Sequence, residues 1–217
     1  MTLQSKLDEL KAGFALKLPS EARELMHRAT EELIASGAAG RALKVGDQAP
    51  PFVLKDLDDN DVSSAALLAL GPMIVSFYRG VWCPYCNLDL QALQAALPEF
   101  KKRGARLVTI SPQTASNSRK SVRQNGLTFP ILWDERNKIA EAFGIKFILP
   151  DYLAELYRGF GNNLPVVNND PSWTLPMPAR FVIAQDNTIV YAEVNPDYTR
   201  RPEPEALFPA IEASRVR

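Results

Sequence analysis

The sequence predicts an α/β fold in which helices flank a central mixed sheet, with an N-terminal helical extension. Three observations carry this. Short apolar runs of strand length alternate with helical patterns along residues 41–217, which implies a mostly parallel sheet covered on both faces. The last two strand candidates flank a turn and add antiparallel strands. The only two cysteines, Cys83 and Cys86, lie where a strand gives way to a helix. Residues 1–40 are expected to form a helical hairpin, residues 41–217 the main domain, and residues 145–178 an insertion within it.

Leu3, Leu7, Leu10 and Phe14 repeat at spacings of four, three and four, one apolar stripe of a first helix. Leu18-Pro19-Ser20 interrupts it, and Ser20 is expected to cap a second helix whose apolar face is Ala22, Leu25, Met26, Ala29 and Leu33. The Leu3–Phe14 stripe suggests that this hairpin helps form a homodimer. His27 reads as an ordinary surface or interface residue. Ala38-Ala39-Gly40 is a linker, and Val45 to Leu54 opens the main domain with a turn and a short strand. Asp56 to Asp61 is an acidic turn without the glycine-centred spacing of a calcium loop. Ser63 to Leu70 reads as a helix stopped by Gly71-Pro72.

Met73-Ile74-Val75-Ser76-Phe77-Tyr78 is the strand before the cysteines, and Leu88, Leu90, Leu93 and Leu97 mark the helix after them. Strands follow at Arg106 to Ile110 and Phe129 to Trp133, with helices at Ser116 to Gln124 and Asn137 to Phe143. Residues 145–178 hold five prolines and read as an irregular loop with one helical turn near Leu153 to Tyr157. Phe181 to Ala184 and Thr188 to Ala192 flank the turn Gln185-Asp186-Asn187, and a helix from Glu203 to Val216 closes the chain.

Cys83-Pro84-Tyr85-Cys86 at such a junction is a redox arrangement. Two sulfurs three residues apart can close a disulfide across one helical turn, and the free N–H groups of a helix start favour a thiolate at Cys83. A purely structural bridge this short removes little entropy from the unfolded chain. Tetrahedral zinc wants four ligands, and the chain has one histidine, far upstream. Neither a metal nor another cofactor is therefore expected within one chain.

Composition narrows the function classes. Lysine plus arginine and aspartate plus glutamate are 25 each, so no global field recruits nucleic acid or an anionic membrane. No apolar stretch approaches the ~20 residues that span a bilayer. The acidic start lacks the basic patch and apolar core of a signal peptide, so a cytoplasmic location is expected.

Together, Asp47-Gln48-Ala49-Pro50-Pro51-Phe52 and Phe77-Tyr78-Arg79-Gly80-Val81-Trp82-Cys83-Pro84-Tyr85-Cys86 resemble the peroxiredoxin-like branch of the alkyl hydroperoxide reductase / thiol-specific antioxidant group, within the thioredoxin superfamily. Ser111-Pro112-Gln113, Trp133-Asp134 and Pro178 to Ile183 continue the likeness, which spans roughly residues 44 to 212. It implies a thioredoxin-like fold and a thiol-dependent peroxidase acting on hydrogen peroxide or organic hydroperoxides, recycled by thioredoxin or by glutathione and glutaredoxin. Cys83 would attack the peroxide and Cys86 would resolve the product. Tyr78 and Trp82 would wall the site beside Pro84 and Tyr85, and Arg79 or Arg180 would orient the peroxide. Pro178 would match the superfamily's proline facing the dithiol, usually cis. This chain departs from mainstream peroxiredoxins, which carry a proline seven residues and a threonine three residues before the reactive cysteine; here these are Ser76 and Gly80. The family's arginine from a later strand is also displaced, since that strand opens with Pro178 and Arg180 lies two residues on. Cys-Pro-Tyr-Cys itself is typical of glutaredoxins. Two other readings stay open: a thiol–disulfide oxidoreductase, and a redox-sensing or iron–sulfur-binding module without turnover.

Overall fold

The structure, a computed structural model, describes residues 1–214. Helix α1 (Leu3–Lys17) is followed across Leu18-Pro19 by α2 (Ser20–Ala35), together an N-terminal helical hairpin. Thr2 caps α1 by accepting the Ser5 N–H, while the Glu203 carboxylate accepts the Leu3 and Gln4 N–H groups at 2.9 and 3.0 Å. A segment from the far end of the chain thus satisfies amide donors that a helix start leaves unpaired. Helix α2 begins at Ser20 itself, and Pro19 precedes it in place of a side-chain cap. The linker at Ala38 is a short 3-10 turn whose first residue is buried.

Strands β1 (Val53–Lys55) and β2 (Asp61–Ser63) pair as a hairpin, closed by Asp56 accepting from the Asp58 and Asn60 N–H groups. The acidic turn is therefore a local Asx-type closure, and its last residue starts a strand the sequence did not announce. Next come α3 (Ser64–Leu68), β3 (Met73–Phe77), α4 (Pro84–Lys102), β4 (Arg106–Ser111), α5 (Ala115–Asn125), β5 (Ile131–Trp133) and α6 (Lys138–Ala142). Strands β8 (Ala179–Ile183) and β9 (Ile189–Val194) form the terminal hairpin, and α9 (Phe208–Ala213) follows a 3-10 turn, Pro204–Leu207. The expected continuation of the last helix to Val216 lies outside the described residues.

The seven-stranded sheet runs β2-β1-β5-β4-β3-β8-β9. Strand β3 runs parallel to β4, and β4 to β5, while the other neighbours pair antiparallel. The sheet is thus mixed rather than mostly parallel, because hairpins supply both flanks. All of β3 and β8 is buried, and their alternating side chains serve two cores. Ile74, Tyr78 and Val182 face α4 and α1; Met73, Val75, Phe77 and Phe181 face Phe143 and Leu68 on the other side.

Packing shows how two segments are used. Leu3 and Leu7 are buried in the core shared with α4, and Leu10 and Phe14 pack against it, so much of the α1 stripe is used within the chain. Residues 145–178 are not an irregular loop. They contain β6 (Lys146–Ile148) paired with β7 (Thr174–Pro176), and helices α7 (Asp151–Gly159) and α8 (Leu164–Asn168) between them. The prolines that read as breakers start these helices: Pro150 precedes α7 and Pro165 occupies the first turn of α8, where its missing N–H costs nothing. Tyr152 on α7 donates to Glu32 on α2 at 2.6 Å and lies beneath the Arg28 guanidinium, tying this segment to the hairpin. His27 is exposed, with Glu31 at 4.0 Å. Among the described residues no helix is long and apolar enough to cross a membrane.

Candidate active site

Cys83 sits at the N-cap of α4 with Pro84 as the first helical residue, at the carboxyl end of β3. Both sulfurs are free thiols, and both residues are buried, Cys83 1% and Cys86 0% exposed. The loop from β3 is held by a small network. Gln113 accepts the Val81 N–H at 2.8 Å and donates to the Tyr78 hydroxyl at 2.8 Å, while the Cys83 N–H donates to the Gly80 carbonyl at 3.1 Å. Tyr78 is therefore a core residue beneath the loop rather than a wall of the site. Gln113, which spaces α5 from the loop, is a positioning residue that sequence reasoning quoted without assigning it a role.

Gly80 has φ +145°, and a Cβ there would lie 2.6 Å from the Trp82 Nε1. Gly80→Thr, which would restore the residue type of mainstream peroxiredoxins, is expected to strain the loop by about 1–3 kcal/mol and to slow Cys83 alkylation. Thermal melts and iodoacetamide rates check this; an unperturbed melt would contradict the strained-loop account.

Arg79 is 3% exposed. Its Nη2 donates to the Tyr157 hydroxyl at 2.6 Å, and its Cζ lies 4.7 Å from the Trp82 ring and 4.3 Å from the Tyr198 ring. Aromatic faces and a hydroxyl, not a carboxylate, hold this cation. Arg201 is the residue the sequence reading missed. It reaches the dithiol from the segment after β9, its Nη2 donating to the Cys86 Sγ at 3.5 Å and its Nε to Asp89 at 3.2 Å. Arg180, expected to orient a peroxide, is instead consumed by a buried ion pair with Asp89 and a 2.8 Å bond to the Pro202 carbonyl. The physical reason is register: Arg180 pairs with Ser76 across β8 and β3, on the face that α4 covers with Asp89. Pro178 is trans, continuing the extended backbone from β7 into β8, and it borders a neighbouring cavity rather than the pocket at Cys83.

Burial pushes the Cys83 thiol up, but the hydrogen bond from Cys86 and the charges of Arg79 and Arg201 outweigh it and bring Cys83 from 9.0 down to about 6. Cys86 moves the other way, held well above 9.0 by burial and by donating a hydrogen bond to the Cys83 sulfur. One sulfur is thus a thiolate at neutral pH and its neighbour a protonated donor. Alkylation of the reduced protein by iodoacetamide is expected to fall as pH drops, with a midpoint near pH 6. A midpoint near that of a free thiol would remove the arginines from this account.

Above Cys83 lies a pocket of about 370 Å³. Trp82, Pro84 and Tyr85 line its near side; Phe14, Leu18 and Met26 of the hairpin, Tyr157 on α7 and Phe160 just after it close it. The N-terminal extension and the 145–178 segment therefore both build the site.

A parallel β3–β4–β5 unit, an antiparallel β8–β9 hairpin and a dithiol at the start of α4 define a thioredoxin-like dithiol protein. The sequence pattern of the AhpC/TSA family matches residues 45–192, and the chain belongs to that family, on its peroxiredoxin-like side. Among curated proteins, the thiol-disulfide oxidoreductase ResA of Bacillus thuringiensis is 28% identical over 133 residues, 56% of this chain and 76% of ResA. The chloroplastic peroxiredoxin Q of Sedum lineare is 32% identical over 100 residues, 46% of this chain and 53% of that protein. The match therefore spans about half of the peroxiredoxin Q chain. Among solved structures, peroxidoxin BcpB from Mycobacterium tuberculosis superposes with a TM-score of 0.62 at 20% identity, covering 80% of this chain and 97% of that one.

Proposed function

We propose that the protein is a thiol peroxidase in which Cys83 reduces a hydroperoxide and Cys86 resolves the product. The observation that carries this is the Cys83 thiolate, brought to about 6 between two buried arginines at the floor of a pocket. The thiolate attacks one peroxide oxygen; a sulfur–oxygen bond forms, the O–O bond breaks, and the alkoxide leaves as an alcohol on taking up a proton. Cys83 is left as sulfenic acid. The Cys86 sulfur then attacks it, losing its proton as hydroxide departs, and water and a disulfide result. A dithiol of the thioredoxin class, leaving as its own disulfide, or two molecules of glutathione, leaving as glutathione disulfide, return the two electrons. Arg79 lines the same pocket as Cys83 and has a buried Nε without a hydrogen-bond partner, which supports it as the donor to the developing charge.

Similarity to peroxiredoxin Q supports this reading, and similarity to ResA together with Cys-Pro-Tyr-Cys supports a second one, attack of Cys83 on a substrate disulfide. The burial of both sulfurs weighs against a macromolecular disulfide reaching them. The test is stopped-flow fluorescence of the reduced protein mixed with hydrogen peroxide and with tert-butyl hydroperoxide, Trp82 being the reporter. A second-order rate far above that of a free thiol, absent in Cys83→Ser, is expected. A free-thiol rate with both peroxides would leave the oxidoreductase reading in its place.

A further inference from the structure

Aromatic and aliphatic side chains make up most of the lining of the pocket over Cys83. Arg79 lies on it with an unpartnered Nε, and Asn162 is the other charged or amide side chain on the lining. The remaining lining is the Trp82–Tyr85 segment, Tyr157 and Tyr198 around the dithiol, together with apolar side chains from elements with no part in the redox step. Phe14, Leu18 and Met26 belong to the N-terminal hairpin, which precedes the family-matched residues 45–192. Phe160, at the end of α7, is 42% exposed, a large aromatic left at the rim. The hairpin is fixed there on two sides. Helix α1 is buried against α4, and α2 is tied to α7 through Glu32, Arg28 and Tyr152. A volume of about 370 Å³ falls in the range, roughly 300–1,000 Å³, of sites that hold small organic molecules.

We infer that the α1–α2 hairpin and the end of α7 form a subsite for the apolar group of an organic hydroperoxide, which makes Phe14, Leu18 and Phe160 specificity-determining residues. This rests on the thiol-peroxidase reading. The hydroperoxide end lies against Cys83 and Arg79, and a bulky aryl or alkyl group lies against the hairpin. Hydrogen peroxide, with no apolar part, leaves these walls unused. Contact energy with the apolar group therefore lowers the barrier only for the organic substrate.

The experiment is a comparison of kcat/KM for cumene hydroperoxide and hydrogen peroxide in the full chain and in the variants Leu18→Ala and Phe160→Ala. The expected result is a preference for cumene hydroperoxide of about tenfold or more, as apolar pockets discriminate by roughly 10–200-fold per contact group. Each variant is expected to shrink that ratio several-fold. Because the ratio is internal to each preparation, partial loss of folded protein does not disturb it. Equal use of the two peroxides by the unmodified chain overturns the inference. So does a preference that both variants retain. Failure to consume either peroxide faster than a free thiol overturns the peroxidase reading itself, and is distinguishable from both.

Discussion

Cys86→Ser is expected to stop turnover while leaving the first half-reaction intact. With no second sulfur, Cys83 sulfenic acid accumulates after one equivalent of peroxide, traceable by dimedone labelling and mass, and excess peroxide carries it on to sulfinic acid. The choice of serine matters, because Cys86 has two separable tasks. It donates a hydrogen bond that lowers the Cys83 pKa, and it is the resolving nucleophile. A serine hydroxyl keeps the first and lacks the second. Cys86→Ala loses both. A hydrogen bond to a charged group contributes about 1.5–3 kcal/mol, which corresponds to roughly 1–2 pKa units. Cys83 in Cys86→Ala is accordingly expected to titrate near pH 7–8 rather than near 6, and its first reaction with peroxide at pH 6 to slow by about five- to fifty-fold relative to Cys86→Ser. If the two variants titrate alike, the Cys86 proton is not what holds the Cys83 thiolate. Should Cys86→Ser yield only mixed disulfides with added glutathione disulfide, and no sulfenic acid with peroxide, the chemistry is disulfide exchange.

The parts of this site that were legible in the sequence are those whose cause is local. An apolar run, a proline at the first helical position and a leucine stripe are enough to put Cys83 at a helix start, and the structure has it there. The cations were not legible in the same way. Arg201 is separated from Cys86 by 115 residues and arrives on a segment with no periodic pattern, so nothing in its neighbourhood points to a sulfur. A signal did exist in α4. Asp89 lies among Cys86, Leu90 and Leu93 on the buried face, and a carboxylate there demands a cation from elsewhere in the fold. Followed through, that demand would have claimed Arg180 for structure and left a vacancy for a second arginine beside the dithiol. The 145–178 segment failed for a different reason. Proline lowers helix expectation wherever it occurs, but at the entry of α7 and α8 it is compatible with helix, and only the amphipathic run Leu153, Ala154 and Tyr157 separates the two cases.

Asp89→Asn is expected to be the most damaging single substitution outside the cysteines. Asp89 is a buried carboxylate that accepts from Arg180 on one oxygen and Arg201 on the other, so one anion serves two cations. Removing the charge from a buried pair costs about 3–5 kcal/mol, because the desolvated partners stay behind. In this protein the loss is expected to depend on pH and redox state. The Cys83 thiolate is the other anion facing Arg201, and its pKa is depressed from 9.0 in the unfolded chain to about 6 in the fold. A depressed acid stabilises the fold above its unfolded pKa and loses that contribution as pH falls through the folded one. Reduced protein therefore loses this stabilisation between about pH 9 and pH 6. In Asp89→Asn the thiolate is left as the anion nearest Arg201, so its pKa is expected to fall below 6 and the window to extend further into acid. The disulfide form has no thiolate and is expected to show neither dependence, while carrying the full cost of two arginines without Asp89. Urea unfolding of both redox forms at pH 8 and near pH 5.5 reads all of this. A variant as stable as the parent in both forms would mean that the arginines find other partners, and that the positive field holding Cys83 as a thiolate does not depend on this cluster.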